Sequence, residues 1–339
     1  MNILVTGGLG YIGSHVCVKL IQAGYSITVI DNLSNSNLYI ADNIRSITGI
    51  DFQCFIGDIL DKKFLEKIFS VNQFDAVVHL AGLKAVGEAV SDPLSYYQCN
   101  VAGSINLFKI MEKFDINNIV FSSSATVYGN PQYLPIDEQH PLGPVNPYGQ
   151  TKLAIENILK DIHSASSNWS ILVLRYFNPI GAHESGLIGD NPNGLPNNLM
   201  PFISRVANGK LDELEVFGDK YSTVDGTGVR DYIHVSDLAE GHHKALEHVV
   251  SKSSQFEAIN LGTGFGTSVF ELIHSYERSN KVKVPFKISN PRLGDVDSCF
   301  AEVVKAKKIL GWKAYKNIDD MCNSAFNFEK NRMNFKNGT

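Results

Sequence analysis

Gly7, Gly10 and Gly13, packed into one short stretch near the start of the chain, constrain the fold more than any other feature. They follow a β-branched run, Asn2-Ile3-Leu4-Val5-Thr6, and lead into apolar residues at helical spacing, Ile12, Val16 and Leu20. That order reads as strand, tight loop, helix. Glycines let the backbone come close to a ligand, and the N–H groups and positive dipole end of the next helix favour a pyrophosphate. The third glycine lets helix and strand pack closely. A turn that merely joins strand to helix is the plainer alternative, and context counts against it. A second strand, Ser26 to Ile30, ends in Asp31, and an acidic residue ~20 positions past the glycines is where the adenosine ribose hydroxyls of a dinucleotide are held. No arginine follows in Asn32 to Asn37 to neutralise a 2′-phosphate, so NAD is expected rather than NADP.

From Asn2 to about Arg175, strand-like and helix-like segments alternate. Right-handed βαβ units and a parallel sheet follow from that pattern. Strands are expected at Ile3 to Thr6, Ile27 to Ile30, Phe52 to Ile56, Ala76 to His79, Ile119 to Ser122 and Ile171 to Leu174, and long helices at Pro93 to Phe114 and Pro147 to Ser164. Small or polar residues close each strand: Asp31, Asp58-Ile59, Leu80-Ala81-Gly82-Leu83-Lys84 and Ser122-Ser123-Ser124. Ligands bind outside such strand ends. Gly181 to Asn198, rich in Gly, Asn and Pro, reads as loop. Ala258 to Gly264 reads as a strand returning to the sheet, before a helix capped at Thr267. The expected fold is α/β, a doubly wound parallel Rossmann sheet with a smaller, non-contiguous α/β substrate domain. Residues 1–177, with the returning strand near 256–264, would bind the dinucleotide and residues 178–339 the substrate.

A chain of 339 residues with 44% hydrophobic side chains can bury a large core. Its net charge of −5 and lack of a basic cluster argue against a nucleic-acid partner. No apolar run approaches the ~20 residues of a membrane span, and a strand starting at the second residue leaves no room for a leader, so a cytoplasmic protein is expected. Cys17, Cys54, Cys99, Cys299 and Cys322 are scattered and never paired as Cys-x-x-Cys, which argues against disulfides and zinc. His242, His243 and His248 lack a carboxylate at ligand spacing, so no metal is expected there and packing or surface roles are assigned to them.

Pro147-Tyr148-Gly149-Gln150-Thr151-Lys152 sets a tyrosine and a lysine four residues apart at a helix start, on one face. Most such pairs are surface neighbours. To act as a base at pH 7, a phenol must be favoured in its ionised form by about three units, or ~4 kcal/mol. One cation at ~4 Å in an effective dielectric of ~20 supplies about that much. Lys152 and the nicotinamide charge are the two sources. Ser122-Ser123-Ser124-Ala125-Thr126-Val127-Tyr128-Gly129, at the end of the fifth strand, would bring hydroxyls to the same place.

These features together resemble the extended short-chain dehydrogenase/reductase superfamily, with its Thr-Gly-x-x-Gly-x-x-Gly, Ser or Thr, and Tyr-x-x-x-Lys, over essentially the whole chain. Within it the chain is similar to the UDP-glucose 4-epimerases. The strings that carry the likeness are Ala81 to Glu88, Ser123 to Gly129, Arg175-Tyr176-Phe177-Asn178-Pro179, Pro196 to Pro201 and Asp225 to His234. The resemblance implies that Gly7, Gly10, Tyr11, Ile12, Gly13, Asp31, Asn32, Leu33, Ser34, Asn35, Ser36, Asp58, Ile59, Leu80, Ala81, Gly82, Leu83, Lys84, Cys99 and Phe177 touch NAD, with Ser124, Tyr148 and Lys152 catalytic and beside it. It places Asn178, Asn198, Leu199, Phe217, Arg230, Arg292, Asp295 and Cys299, with Lys84, Ser124 and Tyr148, around a UDP-sugar. Arginines suit a pyrophosphate, as bidentate donors, and Asp295 could accept from ribose hydroxyls. A homodimer through the helices at Pro93 and Pro147 is implied by the resemblance alone. Cys99 departs from the family's usual asparagine, which puts one cofactor hydrogen bond in doubt.

The reaction so implied is reversible 4-epimerisation of UDP-hexoses. Tyr148 would take the O4 proton as C4 gives a hydride to tightly bound NAD, with Ser124 relaying the proton, and the 4-keto sugar would turn over before hydride returns. A 4,6-dehydratase would need an Asp-Glu pair where Ala125-Thr126 stand. A non-catalytic NAD-binding sensor would need no tyrosine, lysine and serine together. In Arg292 to Ala301, Cys299 falls where family members restricted to UDP-glucose and UDP-galactose tend to have tyrosine. The smaller residue implies room for UDP-N-acetylhexosamines too, although Cys299 also suits a buried small hydrophobe.

Overall fold

A computed structural model describes residues 1–337 except 193, 195, 197, 253, 293 and 294, with residues 333–337 traced as backbone alone. In chain order it opens with β1 (Asn2–Thr6), α1 (Tyr11–Gln22), β2 (Ser26–Asp31), α2 (Tyr39–Thr48), β3 (Gln53–Ile56), α3 (Lys62–Val71), β4 (Ala76–His79), α4 (Val86–Ser91), α5 (Pro93–Tyr96), α6 (Gly103–Lys113), β5 (Asn118–Ser124), α7 (Pro147–Ala165) and β6 (Ser170–Tyr176). There follow β7 (Asn178–Ile180), α8 (Leu199–Ala207), β8 (Leu214–Phe217), β9 (Val229–Arg230), β10 (Tyr232–His234), α9 (Val235–Ser251), β11 (Gln255–Leu261), β12 (Thr267–Ser268), α10 (Val269–Asn280), β13 (Phe286–Ser289), β14 (Ser298–Cys299), α11 (Val304–Leu310) and α12 (Ile318–Asn337).

Strands pair in the order β11-β6-β5-β4-β1-β2-β3, all parallel, so the doubly wound sheet expected from the sequence is the one that forms. Alternation along each strand sends side chains to two cores. Ile3, Val5, Val29, Val78, Val120, Leu172 and Leu174 face Val16, Leu20, Ile44 and Leu246 of α1, α2 and α9. Leu4, Ile30, Val77, Phe121, Ile171 and Val173 face Leu65, Leu107, Met111, Ile155 and Leu159 of α3, α6 and α7. Chain direction across the sheet reverses between β1 and β4, and this switch point is where a crevice opens at the strands' carboxyl ends. A third core, with Met200, Ile203, Val216, Leu272, Ile273 and Tyr276, joins α8, β8 and α10. No helix among the described residues is long and apolar enough to cross a membrane.

Several strand ends differ from expectation by one or two residues, and at three other places the difference has a local cause. The helix expected at Pro93 to Phe114 is broken by a π-type turn, Tyr97–Ala102, where the Asn100 side chain leaves the helix surface to hold Leu83 by its N–H (2.8 Å) and carbonyl (3.1 Å). The cap of α10 is Ser268, not Thr267: Ser268 and Glu271 form a reciprocal capping box, while Thr267 pairs with Arg230 in a short ladder. The returning strand starts earlier and stops at Leu261, after which the backbone N–H groups of Thr263 (2.8 Å) and Gly264 (3.0 Å) donate to the Asp231 carboxylate instead of to the sheet.

Candidate active site

At the switch point, Gly7 adopts φ +70°, where an L side chain is strained, and a Cβ there would sit 2.7 Å from the Ala81 nitrogen. A Cβ on Gly13 would lie 2.1 Å from the Gly7 oxygen, so the loop folds tightly onto α1. Gly10 is the N-cap of α1, with no side-chain cap and no acidic residue in the first turn, an arrangement that fits a pyrophosphate. Asp31 is buried at the tip of β2. Its Oδ2 accepts from Leu9 N (3.0 Å), and its Oδ1 accepts from Leu33 N (2.9 Å) and the Ser36 hydroxyl (2.7 Å). Asp31 therefore ties the glycine loop to the 32–36 turn that holds Ser34 and Asn35. Asn32 Nδ2 donates to Asp58 Oδ2 (2.8 Å), joining the ends of β2 and β3, with Ile59 buried beside them. Leu80 N donates to Thr6 O, and Ala81 N to the Thr6 hydroxyl, which fixes the β4 tip above the glycines. The parts of a dinucleotide cradle are thus assembled from residues far apart in sequence.

The helix that presents Tyr148 and Lys152 starts where Asn146 accepts from Gly149 N (2.9 Å) and Pro147 supplies the first turn. The Lys152 ammonium donates to the Ser122 carbonyl (2.8 Å) and lies 5.8 Å from the centre of the Tyr148 ring. Burial lowers the lysine to about 8, opposed by nearby Cys99 and Glu156. Tyr148 is pushed up to about 12 by burial, with a hydrogen bond to Ser124 pulling the other way. Lys152 therefore does not by itself offset the burial of the phenol. Cys99, on the π-type turn, has its thiol raised by burial. Phe177 is buried against Val127 and Ala301.

Ser124 accepts from both the N–H (3.2 Å) and the hydroxyl (3.0 Å) of Thr126. A hydroxyl has two acceptor sites and one proton. With both sites taken, the Ser124 proton is left to donate, and Tyr148 is the neighbour whose ionised form it favours.

Across the crevice, Arg230 spans Val229 O, Val296 O and Asp295 Oδ1, each at 2.9 Å, so two residues expected to hold substrate are paired with each other. The Arg292 guanidinium lies over Phe217, 4.0 Å from the ring centre. Asn178, exposed at the start of β7, is anchored by its N–H to Asp231 O. Asn198 stands at the N-cap position of α8, ahead of Leu199, without a side-chain bond to the helix. Cys299 packs in the same cluster as Phe177, Val127 and Ala301, where burial raises its thiol to about 11. Asn197, Leu293 and Gly294 of the sequence strings lie outside the described residues. Asp190 went unnoticed in the sequence: its carboxylate joins Lys84 (3.6 Å) to Asn198 (3.1 Å) and so spans the crevice. So did Glu156, buried with Arg175 (2.6 Å) and taking the Ser123 hydroxyl (2.5 Å). Its place four residues after Lys152 was the available signal.

With this geometry in view, residues 3–262 match the model of the NAD dependent epimerase/dehydratase family. The chain belongs to that family. A UDP-glucose 4-epimerase of Bacillus subtilis (strain 168) is 53% identical over 98% of both chains. The structure of UDP-glucose 4-epimerase from Bifidobacterium longum in complex with NAD+ and UDP is similar at a TM-score of 0.95, with 46% identity, covering 98% of this chain and 99% of that one. The UDP-Glc/GlcNAc 4-epimerase of Campylobacter jejuni is similar at a TM-score of 0.84 and 34% identity, over 97% and 99%. Family membership accounts for the glycine loop, Ser124, Tyr148 and Lys152 standing in one crevice.

Proposed function

We propose that this chain is an NAD-dependent 4-epimerase of UDP-hexoses that interconverts UDP-glucose and UDP-galactose. The observation that carries the proposal is Tyr148, Lys152 and Ser124 meeting at the switch point, with Ala125-Thr126 after the serine. In that place Ala125 and Thr126 supply no acid and base for the elimination a dehydratase performs. The chemistry supplied by bound NAD is uptake and return of the hydrogen on C4. Tyr148 takes the O4 proton and gives it back, Ser124 donates a hydrogen bond to that phenol, and Lys152 keeps positive charge beside it. Arg230 and Arg292 suit the diphosphate, and Asp295 the ribose. Inversion requires the sugar to present its other face before the hydrogen returns, so the pocket must hold the nucleotide firmly and the sugar loosely.

We assign residues 1–177 and the returning strand to the cofactor, and 178–339 to the nucleotide sugar, a division supported by the separate core of α8, β8 and α10, although α9 from that stretch packs on the sheet through Leu246. A homodimer is supported by Val90 and Leu94, which stay 65% and 79% exposed beside α7. Five free cysteines favour the reducing cytoplasm.

Cys299, at the position the family resemblance puts beside the sugar, also favours UDP-N-acetylhexosamines, because a small side chain there leaves space for a 2-acetamido group. Incubation with UDP-Glc, UDP-Gal, UDP-GlcNAc and UDP-GalNAc, each alone, with chromatography of the products, is expected to give epimerisation of all four. Cys299→Tyr should depress the N-acetylated pair up to about a hundredfold by overpacking while sparing the other pair. Lack of N-acetylhexosamine turnover in the unaltered protein would remove the argument from Cys299.

A further inference from the structure

We propose that Thr126 is a positioning residue: its two donations into the Ser124 oxygen turn the Ser124 proton toward Tyr148 and so set the working range of that phenol. The inference deepens the epimerase reading and rests on it for Tyr148 being the base. Its geometry is local and tight. Ser124, the last residue of β5, caps the short 3-10 turn Ala125–Tyr128, accepting from Thr126 N (3.2 Å) and Thr126 Oγ1 (3.0 Å). The N–H donation is fixed by the turn. The hydroxyl donation fills the second acceptor site, so the serine cannot also accept a proton from Tyr148.

Direction matters because the two orientations act oppositely on the phenol. A donor held against the phenol oxygen favours the ionised form, whereas an acceptor favours the neutral one. The other groups facing Tyr148 do not take over this task. Lys152, on the same helix, is engaged with the Ser122 carbonyl. Tyr96, packed against Tyr148, donates to Ala85 O (2.7 Å), and Tyr176 of β6 is bonded to the Ser122 hydroxyl. Cys99 and Glu156 act on Lys152 rather than on the phenol. Ser124 is the neighbour whose hydrogen bond favours ionisation of the phenol.

In Thr126→Val the shape is kept, one acceptor site on Ser124 is freed, and the neutral Tyr148 can donate into it. The test reads Tyr148 ionisation directly, as tyrosinate absorbance of the NAD-loaded protein against pH without any UDP-sugar, with Tyr148→Phe subtracted as reference. In parallel, kcat and KM for UDP-galactose are measured across pH. Thr126→Val is expected to move both the Tyr148 titration and the acid limb of kcat upward by at least about half a unit, a roughly threefold loss at a given pH on that limb, with KM little changed. Thr126→Ser, which retains the hydroxyl, should restore the titration. Thr126→Ala should repeat the Val result, and stands in for it if the valine variant does not fold. An unmoved Tyr148 titration in either variant, or a rise in KM alone, overturns the proposal. Because the titration needs no turnover, a protein that proves inactive on UDP-hexoses would refute the epimerase reading and leave this result separately readable.

Discussion

Burial shifts Lys152 downward to about 8 and Tyr148 upward to about 12, so at neutral pH the site holds an ammonium beside a reluctant acid. A lysine whose value is lowered loses its charge as pH rises through about 8, and activity that relies on that charge falls over the same range. Steady-state rates are expected to decline above about pH 8, and Lys152→Arg, which stays charged, should be slower but lack that decline. A decline that persists in Lys152→Arg would assign it to another group. At this scale the sequence was legible where chemistry demands a residue type: Tyr148, Lys152, Ser124, Gly7 and Asp31 all lie in the crevice. It was silent on Asp190 and Thr126, whose roles come from distances that no spacing rule encodes. The direction of the Ser124 hydrogen bond was not legible either, because it depends on what fills the lone pairs of the serine.

Elements bring these side chains together, and one buried connection among them is an ion pair. Glu156 of α7 receives Arg175 of β6 through Nε and Nη2, and also the Ser123 hydroxyl, while Arg175 reaches Tyr128 Oη at 3.2 Å. Tyr128 in turn donates to Asn260 of β11 (2.6 Å). Removing one partner of a buried pair leaves a stranded charge and costs about 3–5 kcal/mol, whereas an apolar replacement of both is often tolerated. Glu156→Ala should lower the melting temperature sharply, and Glu156→Leu with Arg175→Met should recover most of the loss. Additive effects in denaturant melts would show that the two are not coupled. Central strand positions were readable from apolar runs, since those strands must be covered on both faces. The break at Tyr97–Ala102 was not, because Asn100 leaves the helical pattern to satisfy the Leu83 backbone, a partner outside the helix. The Gly103 that follows lies against Ile59, where a Cβ would sit 2.7 Å from that side chain.

At the scale of the whole molecule, a group of exposed apolar side chains stands beside α7. Val86, Val90, Leu94 and Tyr97 are exposed around α4 and α5, at the start of the broken helix. Burying such side chains against a second copy contributes about 25 cal/mol per Å² of apolar area. Sedimentation or light scattering at micromolar concentration is expected to give a dimer, and Leu94→Arg a monomer that retains NAD; a monomeric unaltered protein would contradict this interface. The parallel order of the sheet could be anticipated from the alternation of strands and helices. The pairing of β9 with β12 and β14 could not, since strands of two residues carry no periodicity. The account as a whole claims that hydrogen leaves C4 and comes back to C4 with no net oxidation, and UDP-galactose bearing deuterium at C4 tests that most directly. Incubated with the NAD-loaded protein in ordinary water, it is predicted to yield UDP-glucose that keeps the deuterium at C4. Loss of the label to solvent, an accumulated oxidised sugar, or a product one water lighter would contradict the account.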